Sequence, residues 1–461
     1  MKILFAAAEV DPFAKVGGLA DVAAALPERL QEIGHDVRVV MPCHASALEA
    51  HRTATERRTL VVPLPNRDRT VDVATVAGTE GVPVDLVLDD SYFGRPNVYG
   101  DADDLLRYQF FCRAVLQMLL HDEWMPDVVH INDWHTAPLA YALRNLSWGE
   151  PRLRGVASVF TIHNLRYRGP DGFNDFLAQA IYYSDMVTTV SPTYAREILT
   201  QDFGEGLDPL LALRDSTGNL AGILNGLNYD TYNPRTDARI RHQYDLNMLE
   251  ARVQNTAALR REVDLSETGG PLAAMVTRLT EQKGVDLVLQ ALPEIIAADA
   301  QLLVLGTGDR WIEDELGRLQ ERYPRHLRHV ARFDESFARR IYAGADFFLM
   351  PSRYEPCGLG QIIAMRYGCV PLGRRTGGLA DTIFDFEEYP EIGTGFLFDE
   401  FSAFGLIGAF DRAVRAFREP ATWMRLQENG MSRDYSWRAS ATHYVETYVA
   451  ALRARGIVPL E

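Results

Sequence analysis

Apolar runs rich in β-branched residues alternate along the chain with longer stretches in which apolar residues recur at helical spacing. Helices are predicted, for example, in LADVAAALPERLQEIG and DLVLQALPEIIAA. The runs that predict strands are KILFAAA, DVRVVMP, PVDLVLD, PDVVHIN, ASVFTIH, MVTTVS, LAAMVTRL, QLLVLG, HVARF, DFFLMPS and VPLGR. Because strand, helix and strand follow one another repeatedly, the pattern predicts parallel sheets covered by helices on both faces.

Two such series occur, separated by the polar, turn-rich stretch NGLNYDTYNPRTDARIRHQYD. The sequence therefore predicts an α/β protein with two Rossmann-like, doubly wound domains and a cleft between them. We place the domains at 1–235 and 236–437, followed by a helix in 438–461. Ligands of such sheets bind beyond the carboxyl ends of the strands, so the loops that follow strands are the candidate sites.

Composition narrows the class of protein. The 461 residues are 47% hydrophobic and 24% charged, which is typical of a soluble globular protein with more than one core. With 47 basic and 63 acidic residues the net charge is −16, which argues against a nucleic-acid partner but leaves room for a small basic phosphate pocket.

The chain lacks an uninterrupted apolar run long enough for a membrane span, so no membrane partner is expected. The N-terminal MKILFAAAEV is interpreted as a buried first strand rather than a signal peptide. The four cysteines form no CxxC pair, which predicts free thiols, a cytoplasmic location and no zinc site.

Three loops in the first half carry candidate chemistry. In KVGGLADV, Lys15 precedes Gly17 and Gly18 at a predicted helix start, a pattern that suits an anion, although an ordinary glycine-rich turn is the alternative. HINDWHTAPL follows a strand and offers an aromatic face and hydrogen-bonding groups for a sugar. FTIHNLRYRG ends another strand with a His-Asn pair at the end that faces the predicted cleft; a structural histidine is the alternative in each loop. The candidate residues in these two loops are Asp133, Trp134, His135, His163 and Asn164.

The first loop of the second half contains two cations. In TRLTEQKG, Arg278 and Lys283 could stabilise a departing diphosphate; a solvated loop is the alternative. The later VLGTGDR lacks the third glycine of a dinucleotide fingerprint, so NAD binding is not predicted.

The stretch SRYEPCGLGQ places a single carboxylate, Glu355, among glycines and apolar residues. Such a carboxylate can accept hydrogen bonds from hexose hydroxyls, while the glycines leave room for a sugar. The alternative is a structural carboxylate paired with a neighbouring cation such as Arg353. The following RRTGGLADT again combines two glycines with a predicted helix start, which suits an anion.

The set KVGGLADV, DWHTAPLA, TIHN, SPTYAREI, GILNGLNYDTYNP, TRLTEQKGVDLVL, PSRYEPCGLGQ and RRTGGLADT closely resembles bacterial glycogen synthase and plant starch synthase. These are retaining glycosyltransferases of the GT-B fold, and the resemblance extends in order to about residue 440. It implies transfer of glucose from ADP-glucose to the non-reducing end of an α-1,4-glucan, with release of ADP. It implies no cofactor and no metal, and a C-terminal helix that returns to the first domain.

Carried over to this sequence, the resemblance implies three groups of site residues. The catalytic residues are His163, Glu355, Arg278 and Lys283. The donor-binding residues are Lys15, Gly17, Gly18, Asn164, Phe333, Cys357, Gly358, Leu359, Thr376, Gly377 and Gly378, with Phe333 at the position of an aromatic that lies on the adenine. The residues on the acceptor or sugar side are Asp133, Trp134 and His135.

One departure concerns the acceptor side. The segment between Gly169 and YYSDMV is shorter than in the family, and Ala178 stands where the family has a lysine. Three alternatives therefore stay open: a different acceptor, UDP-glucose as the donor, or a binding protein that has kept the fold with little or no catalysis.

Overall fold

The computed structural model describes residues 1–169 and 175–457. The chain divides into two compact units. The first comprises Met1–Gly226 and the C-terminal segment from Trp437, and the second comprises Leu227–Ser436. The sequence placed the ends of the two domains at residues 235 and 437, whereas the corresponding segments end at Gly226 and Ser436.

The described part of the first unit contains one nine-stranded sheet. Its strands are β1 (Lys2–Ala6), β2 (Asp36–Pro42), β3 (Glu56–Val62), β4 (Arg69–Ala77), β5 (Pro83–Leu88), β6 (Val128–Asn132), β7 (Ala157–Ile162), β8 (Met186–Thr189) and β9 (Leu220–Gly222). Their order is β3-β4-β5-β2-β1-β6-β7-β8-β9. The sequence order reverses between β1 and β6, so the loops after these two strands lie at a switch point of the sheet.

The edge of this sheet differs from the prediction. β3 pairs antiparallel with β4, and β4 pairs antiparallel with β5, so the sheet is mixed rather than wholly parallel. The search for apolar runs missed both strands because they alternate: β3 reads ERRTLVV and β4 reads RTVDVATVA. Such alternation is typical of a strand with one solvated face.

Eight α-helices precede residue 227 in the described residues, and they accompany this sheet. They are α1 (Gly18–Glu32), α2 (Asp90–Phe93), α3 (Asp104–His121), α4 (Asp133–Thr136), α5 (Pro138–Leu146), α6 (Phe176–Tyr183), α7 (Pro192–Glu197) and α8 (Asp208–Ser216). Buried side chains of α3, α5 and α6 form one apolar core, and those of α1 contribute to a second. The predicted helical stretch beginning at Leu19 corresponds to α1.

The second unit contains a six-stranded sheet within its described residues, and every neighbouring pair is parallel. The strands are β10 (Leu272–Val276), β11 (Gln301–Leu305), β12 (Leu327–Val330), β13 (Phe347–Met350), β14 (Val370–Arg374) and β15 (Phe396–Phe398). The order β12-β11-β10-β13-β14-β15 is the 3-2-1-4-5-6 order of dinucleotide-binding sheets. Its switch point lies between β10 and β13.

The helices of the second unit cover both faces of this sheet, as the alternating pattern predicts. They are α9 (Arg252–Glu262), α10 (Val285–Ala297), α11 (Arg310–Arg322), α12 (Glu335–Gly344), α13 (Gly360–Arg366), α14 (Gly377–Thr382), α15 (Ala403–Phe417) and α16 (Pro420–Ser432). Their apolar side chains form two cores, one with α10 and α15 and the other with α12 and α13.

The last helix, α17 (Trp437–Ala454), packs against the first unit. Its Trp437, Tyr444 and Tyr448 are buried in the same core as β1 and β2, and the Tyr448 hydroxyl lies 2.8 Å from Nδ1 of His130. Across residues 1–169 and 175–457, no helix combines the length and the apolar character that crossing a bilayer requires.

Candidate functional site

Lys283 and Glu355 meet at the switch point of the second sheet. Lys283 lies in the turn after β10, and Glu355 lies in the loop after β13, the neighbouring strand. The ammonium of Lys283 is 2.9 Å from Oε1 and 2.7 Å from Oε2 of Glu355, so it contacts both carboxylate oxygens. The parallel register thus joins two residues that are 72 positions apart in the sequence.

The Glu355 carboxylate is buried, and Lys283 provides its opposite charge. Ser352 adds a hydrogen bond from its hydroxyl to Oε2 at 2.9 Å. The guanidinium of Arg353 instead lies over the ring of Phe401, at 4.1 Å from its centroid. The pairing with Arg353 that the sequence left open is therefore replaced by a pairing with Lys283.

A small cavity of about 190 Å³ opens beside this pair. Its walls include Thr277 at the end of β10, Met350 at the end of β13, and Leu359 and Gly360 at the start of α13. Both charged groups line the cavity, so a ligand that enters it meets an acceptor and a donor at once.

The glycines of the RRTGGLADT loop allow its backbone to pack directly against the Glu355 loop. A Cβ added at Gly377, whose φ is 44°, would overlap the carbonyl oxygen of Glu355. A Cβ at Gly378 would overlap the carbonyl oxygen of Cys357. The Gly378 N–H donates to the Glu355 carbonyl at 3.0 Å, so this N–H forms a hydrogen bond that links the two loops.

The remaining donor-side candidates of the second unit also follow strands of its sheet. Arg278 is exposed just after β10, and Phe333 is 90% exposed after β12, where its ring offers a free apolar face. Thr376 is buried after β14, and Cys357 is buried in the Glu355 loop. The predicted residues Gly358 and Leu359 line the 190 Å³ cavity.

The glycines of VLGTGDR are explained by close packing. A Cβ at Gly306 would overlap the carbonyl oxygen of Thr277, and one at Gly308 would overlap that of Leu279. The loop after β11 therefore lies directly against the loop that carries Arg278. Close packing therefore explains why both positions are glycine, and a dinucleotide-binding site is not needed to explain them.

In the first unit, Lys15, Gly17 and Gly18 lie between β1 and α1, as predicted. The backbone N–H groups of Val16 and Gly17 donate to the buried carboxylate of Glu9. Burial raises the pKa of Glu9, and these two hydrogen bonds oppose that rise. Glu9 thus occupies the Gly17 N–H, one of the two glycine donors that the sequence assigned to a phosphate.

Lys15 lies between two carboxylates, Asp11 at 3.1 Å and Asp21 at 2.5 Å. Burial alone would lower the pKa of Lys15, but the hydrogen bonds and charges of Asp21 and Asp11 outweigh it and raise the pKa. The side chain is therefore a permanent cation at the start of α1.

Asp133, His163 and Asn164 form the second cluster of the first unit. Asp133 begins α4 directly after β6 and has a φ of 53°, a strained conformation for a non-glycine residue. Its carboxylate accepts a hydrogen bond from the His163 N–H at 2.8 Å and another from the Asn164 N–H. Burial raises the pKa of Asp133 to about 7 against the effect of these bonds.

The imidazole of His163 is neutral at physiological pH, because burial lowers its pKa to about 3. Its Nε2 lies 2.9 Å from Oδ1 of Asn132, whose amide nitrogen donates to the Ala6 carbonyl at 3.0 Å. With the amide oriented in this way, Oδ1 accepts and Nε2 of His163 carries the proton.

Trp134 and His135 are each only 5% exposed and belong to the interior of the first unit. His135 packs among the rings of Trp134, Tyr99 and Tyr108, with centroids at 4.1, 5.0 and 4.6 Å. Neither of its ring nitrogens has a hydrogen-bond partner among the described residues. The alternative of a core histidine describes the placement of His135 better than direct contact with a sugar.

Sequence reasoning missed Glu9, Asn132 and Ser352, which orient the predicted residues. Asn132 is the last residue of β6, Ser352 lies shortly after β13, and Glu9 is a single charge in the apolar stretch FAAAEV at the end of β1. For Glu9, the signal available in the sequence was an isolated charge in a buried apolar stretch. The shortened segment between Gly169 and YYSDMV includes residues 170–174, which lie outside the described residues. In its described part, Asp175 caps α6 by accepting a hydrogen bond from the Ala178 N–H at 2.9 Å.

Comparisons with known proteins agree on one family. Residues 2–213 match the starch synthase catalytic domain, and residues 270–413 match group 1 of the glycosyl transferases. The glycogen synthase of Moorella thermoacetica is 40% identical over 99% of this chain and 98% of its own. That of Thermotoga maritima is also 40% identical, over 99% of this chain and 100% of its own.

Solved structures agree with these matches. The catalytic domain of starch synthase IV from Arabidopsis thaliana, bound to ADP and acarbose, gives a TM-score of 0.87 at 33% identity and covers 98% of this chain and 99% of its own. A sucrose-phosphate synthase from Thermosynechococcus elongatus, at 20% identity and a TM-score of 0.62 over 98% of this chain and 99% of its own, shares the fold. The chain therefore belongs to the glycogen synthase and starch synthase family, and it is a glycosyltransferase of the GT-B fold.

Proposed function

We propose that this glycosyltransferase moves glucose from ADP-glucose to the non-reducing end of an α-1,4-glucan with retention of configuration, and releases ADP. The observation that carries the proposal is the Lys283–Glu355 pair at the β10/β13 switch point, inside a cavity at the carboxyl ends of the strands. A buried acceptor beside a fixed ammonium suits a hexose linked to a diphosphate.

In the proposed donor complex, Glu355 accepts hydrogen bonds from the glucose hydroxyls. The Lys283 ammonium has three N–H donors, so it can keep its contact with Glu355 and also donate to a phosphate oxygen. Arg278, exposed on the adjoining loop, supplies the second cation for the diphosphate. The exposed ring of Phe333 serves as the surface on which the adenine stacks.

The transfer then breaks the bond between the anomeric carbon and the β-phosphate oxygen. A hydroxyl of the glucan acceptor forms the new bond on the same face of the sugar, and its proton passes to the departing phosphate oxygen. Lys283 and Arg278 stabilise the negative charge that develops on the diphosphate, so the proposed mechanism uses protein cations where other enzymes use a metal ion.

For the first unit we propose a role in binding a sugar through the loops that follow β6 and β7. The neutral imidazole of His163 and the carboxyl group of Asp133 provide fixed hydrogen-bonding groups there. Trp134 and His135 act by packing beneath Asp133 rather than by touching the sugar. Lys15 contributes positive charge at the start of α1.

The test is incubation with ADP-[14C]glucose and, separately, UDP-[14C]glucose, each with and without glycogen. The proposal predicts label in precipitated glycogen, together with ADP release, only when ADP-glucose and glycogen are both present. Transfer from UDP-glucose at an equal or higher rate would assign a different donor. Absence of transfer with every combination would favour a binding protein and contradict the proposal.

A further inference from the structure

A cavity of about 790 Å³ in the first unit lies away from the candidate catalytic loops. It is bounded by the loop 63–68 between β3 and β4, by α2 and by α3. β3 and β4 form one edge of the first sheet, and β5 and β2 separate them from β1, where the switch point begins. The cavity is therefore a separate feature of the first unit, and its size is typical of a small-molecule site.

The cavity is positively charged within a strongly acidic chain. Arg67, Arg69 and Arg113 line it, together with one carboxylate, Asp68. The chain as a whole has a net charge of −16, so three arginines on one small concave surface give this region a charge opposite to that of the chain. Such a cluster concentrates anions locally.

Two of these guanidinium groups remain available for a ligand. Arg69 is held by hydrogen bonds to Asp89 and Ser91 and is part of the wall. Arg113 makes one hydrogen bond, from its NH1 to the Pro63 carbonyl at 3.1 Å, and forms no ion pair in the described residues. Within residues 1–169 and 175–457, Arg67 makes neither an ion pair nor a side-chain hydrogen bond, and its side chain is exposed.

The wall behind these arginines is ordered by aromatic packing. Tyr92 and Phe110 stack with centroids 4.3 Å apart and an interplanar angle of 15°, and the Arg69 guanidinium lies 5.1 Å from the Tyr92 centroid. The side-chain amides of Asn66 and Gln109 also line the cavity and can pair with hydroxyl groups. A rigid wall, free guanidinium groups and neutral amides suit a ligand with one phosphoryl group and several hydroxyls.

We propose that this cavity is a second ligand site, which binds a sugar monophosphate. Arg67 and Arg113 hold the phosphoryl oxygens, and Asn66 and Gln109 contact the hydroxyls of the sugar. The site is independent of the transfer reaction proposed above, because its residues lie outside both switch points.

Titration calorimetry with glucose 6-phosphate tests the proposal, with inorganic phosphate and maltotriose as comparison probes. We expect saturable binding that is tighter for glucose 6-phosphate than for either probe. The double substitution Arg67→Ala and Arg113→Ala should weaken it at least about ten-fold, the scale for losing charge-assisted hydrogen bonds. Both side chains are exposed, so the variant is expected to fold normally.

Two control variants separate this site from other sources of binding. Arg310→Ala removes an arginine that is 94% exposed on the second unit and should leave the affinity unchanged. Lys283→Ala, in the candidate catalytic site, should also leave it unchanged. The proposal is overturned if no saturable binding occurs, if maltotriose binds as tightly as glucose 6-phosphate, or if Lys283→Ala abolishes binding that the arginine variant retains.

Discussion

The Glu355 carboxylate is only 5% exposed, and it is paired with the ammonium of Lys283 and accepts a hydrogen bond from the Ser352 hydroxyl. A buried ion pair adds little stability by itself, but removal of one partner leaves an uncompensated charge and is costly. The pair consequently has two separable roles, one in folding and one in the proposed chemistry. Substitutions at the residue scale can distinguish them.

Lys283→Ala should lower kcat at least about 100-fold, because a group that stabilises the developing charge is lost. It should also lower the free energy of unfolding by about 3 kcal/mol, because Glu355 is left buried without its counter-charge. Adding Glu355→Gln should restore most of the stability and none of the activity. Recovery of near-normal kcat in the double variant, measured by ADP release, would contradict the assignment.

A second residue-scale prediction concerns His135. Burial lowers its pKa to about 3, so the folded protein keeps the ring neutral while the unfolded chain takes up a proton below about pH 6.5. The unfolded state binds more protons in this window, and stability therefore falls as the pH falls from 6.5 towards 3. Phenylalanine fits the aromatic surroundings and does not titrate.

His135→Phe should accordingly gain stability relative to the unsubstituted protein as the medium is acidified. Between pH 7.5 and pH 5 the difference in free energy of unfolding should shift by about 2 kcal/mol in favour of the variant. Urea unfolding at both pH values measures it. An identical difference at pH 7.5 and pH 5 would show that His135 is not held neutral in the fold.

At the scale of elements, the site depends on loops that pack backbone against backbone. The loop before α14 lies on the Glu355 loop, and the loop after β11 lies on the loop that carries Arg278. Each contact requires a glycine, since a Cβ would overlap a carbonyl oxygen. The rigidity of the candidate site thus comes from neighbouring loops as well as from its own strand ends.

Gly378→Ala should displace the Glu355 loop, because the new methyl group would overlap the Cys357 carbonyl. We expect a loss of about 2 kcal/mol in stability and a clear fall in kcat. The matched control is Gly408→Ala in α15, where a Cβ meets nothing within 4 Å and should add about 0.5–1 kcal/mol of stability. Thermal unfolding and ADP release measure both variants; equal behaviour would refute the packing argument.

At the scale of the whole molecule, the two units differ in how their cores are assembled. The cores of the second unit contain only residues of 227–436. One core of the first unit includes six residues of α17, which the chain supplies only after it has completed the second unit. The first unit is therefore discontinuous in sequence, and the second is continuous.

We predict that residues 227–436 expressed alone unfold cooperatively, while residues 1–226 alone do not. The segment 1–226 lacks Trp437, Tyr444 and Tyr448, whose burial fills the space beside β1. Thermal unfolding followed by circular dichroism tests both segments. A cooperative transition in 1–226 without α17 would show that this helix is dispensable for the core.

The sequence predicted strands such as β7 and β11, in which every residue is buried, because each of them is a continuous apolar run. It missed β9 and β15, which have only three residues each and therefore give too short a run. It missed β3 and β4 as well, where one solvated face breaks the run into alternation. It also predicted which loops hold polar groups, because these follow the predicted strands. It did not predict which groups pair: Lys283 meets Glu355, and His163 meets Asn132, only through the order of strands in the sheet.

A crystal structure with a non-hydrolysable ADP-glucose analogue would show directly whether Lys283, Arg278 and Glu355 form the donor site. We expect the diphosphate within hydrogen-bonding distance of Lys283 and Arg278, the glucose hydroxyls on Glu355, and the adenine on the ring of Phe333. An analogue bound elsewhere, with Lys283 and Glu355 free of ligand contacts, would contradict it.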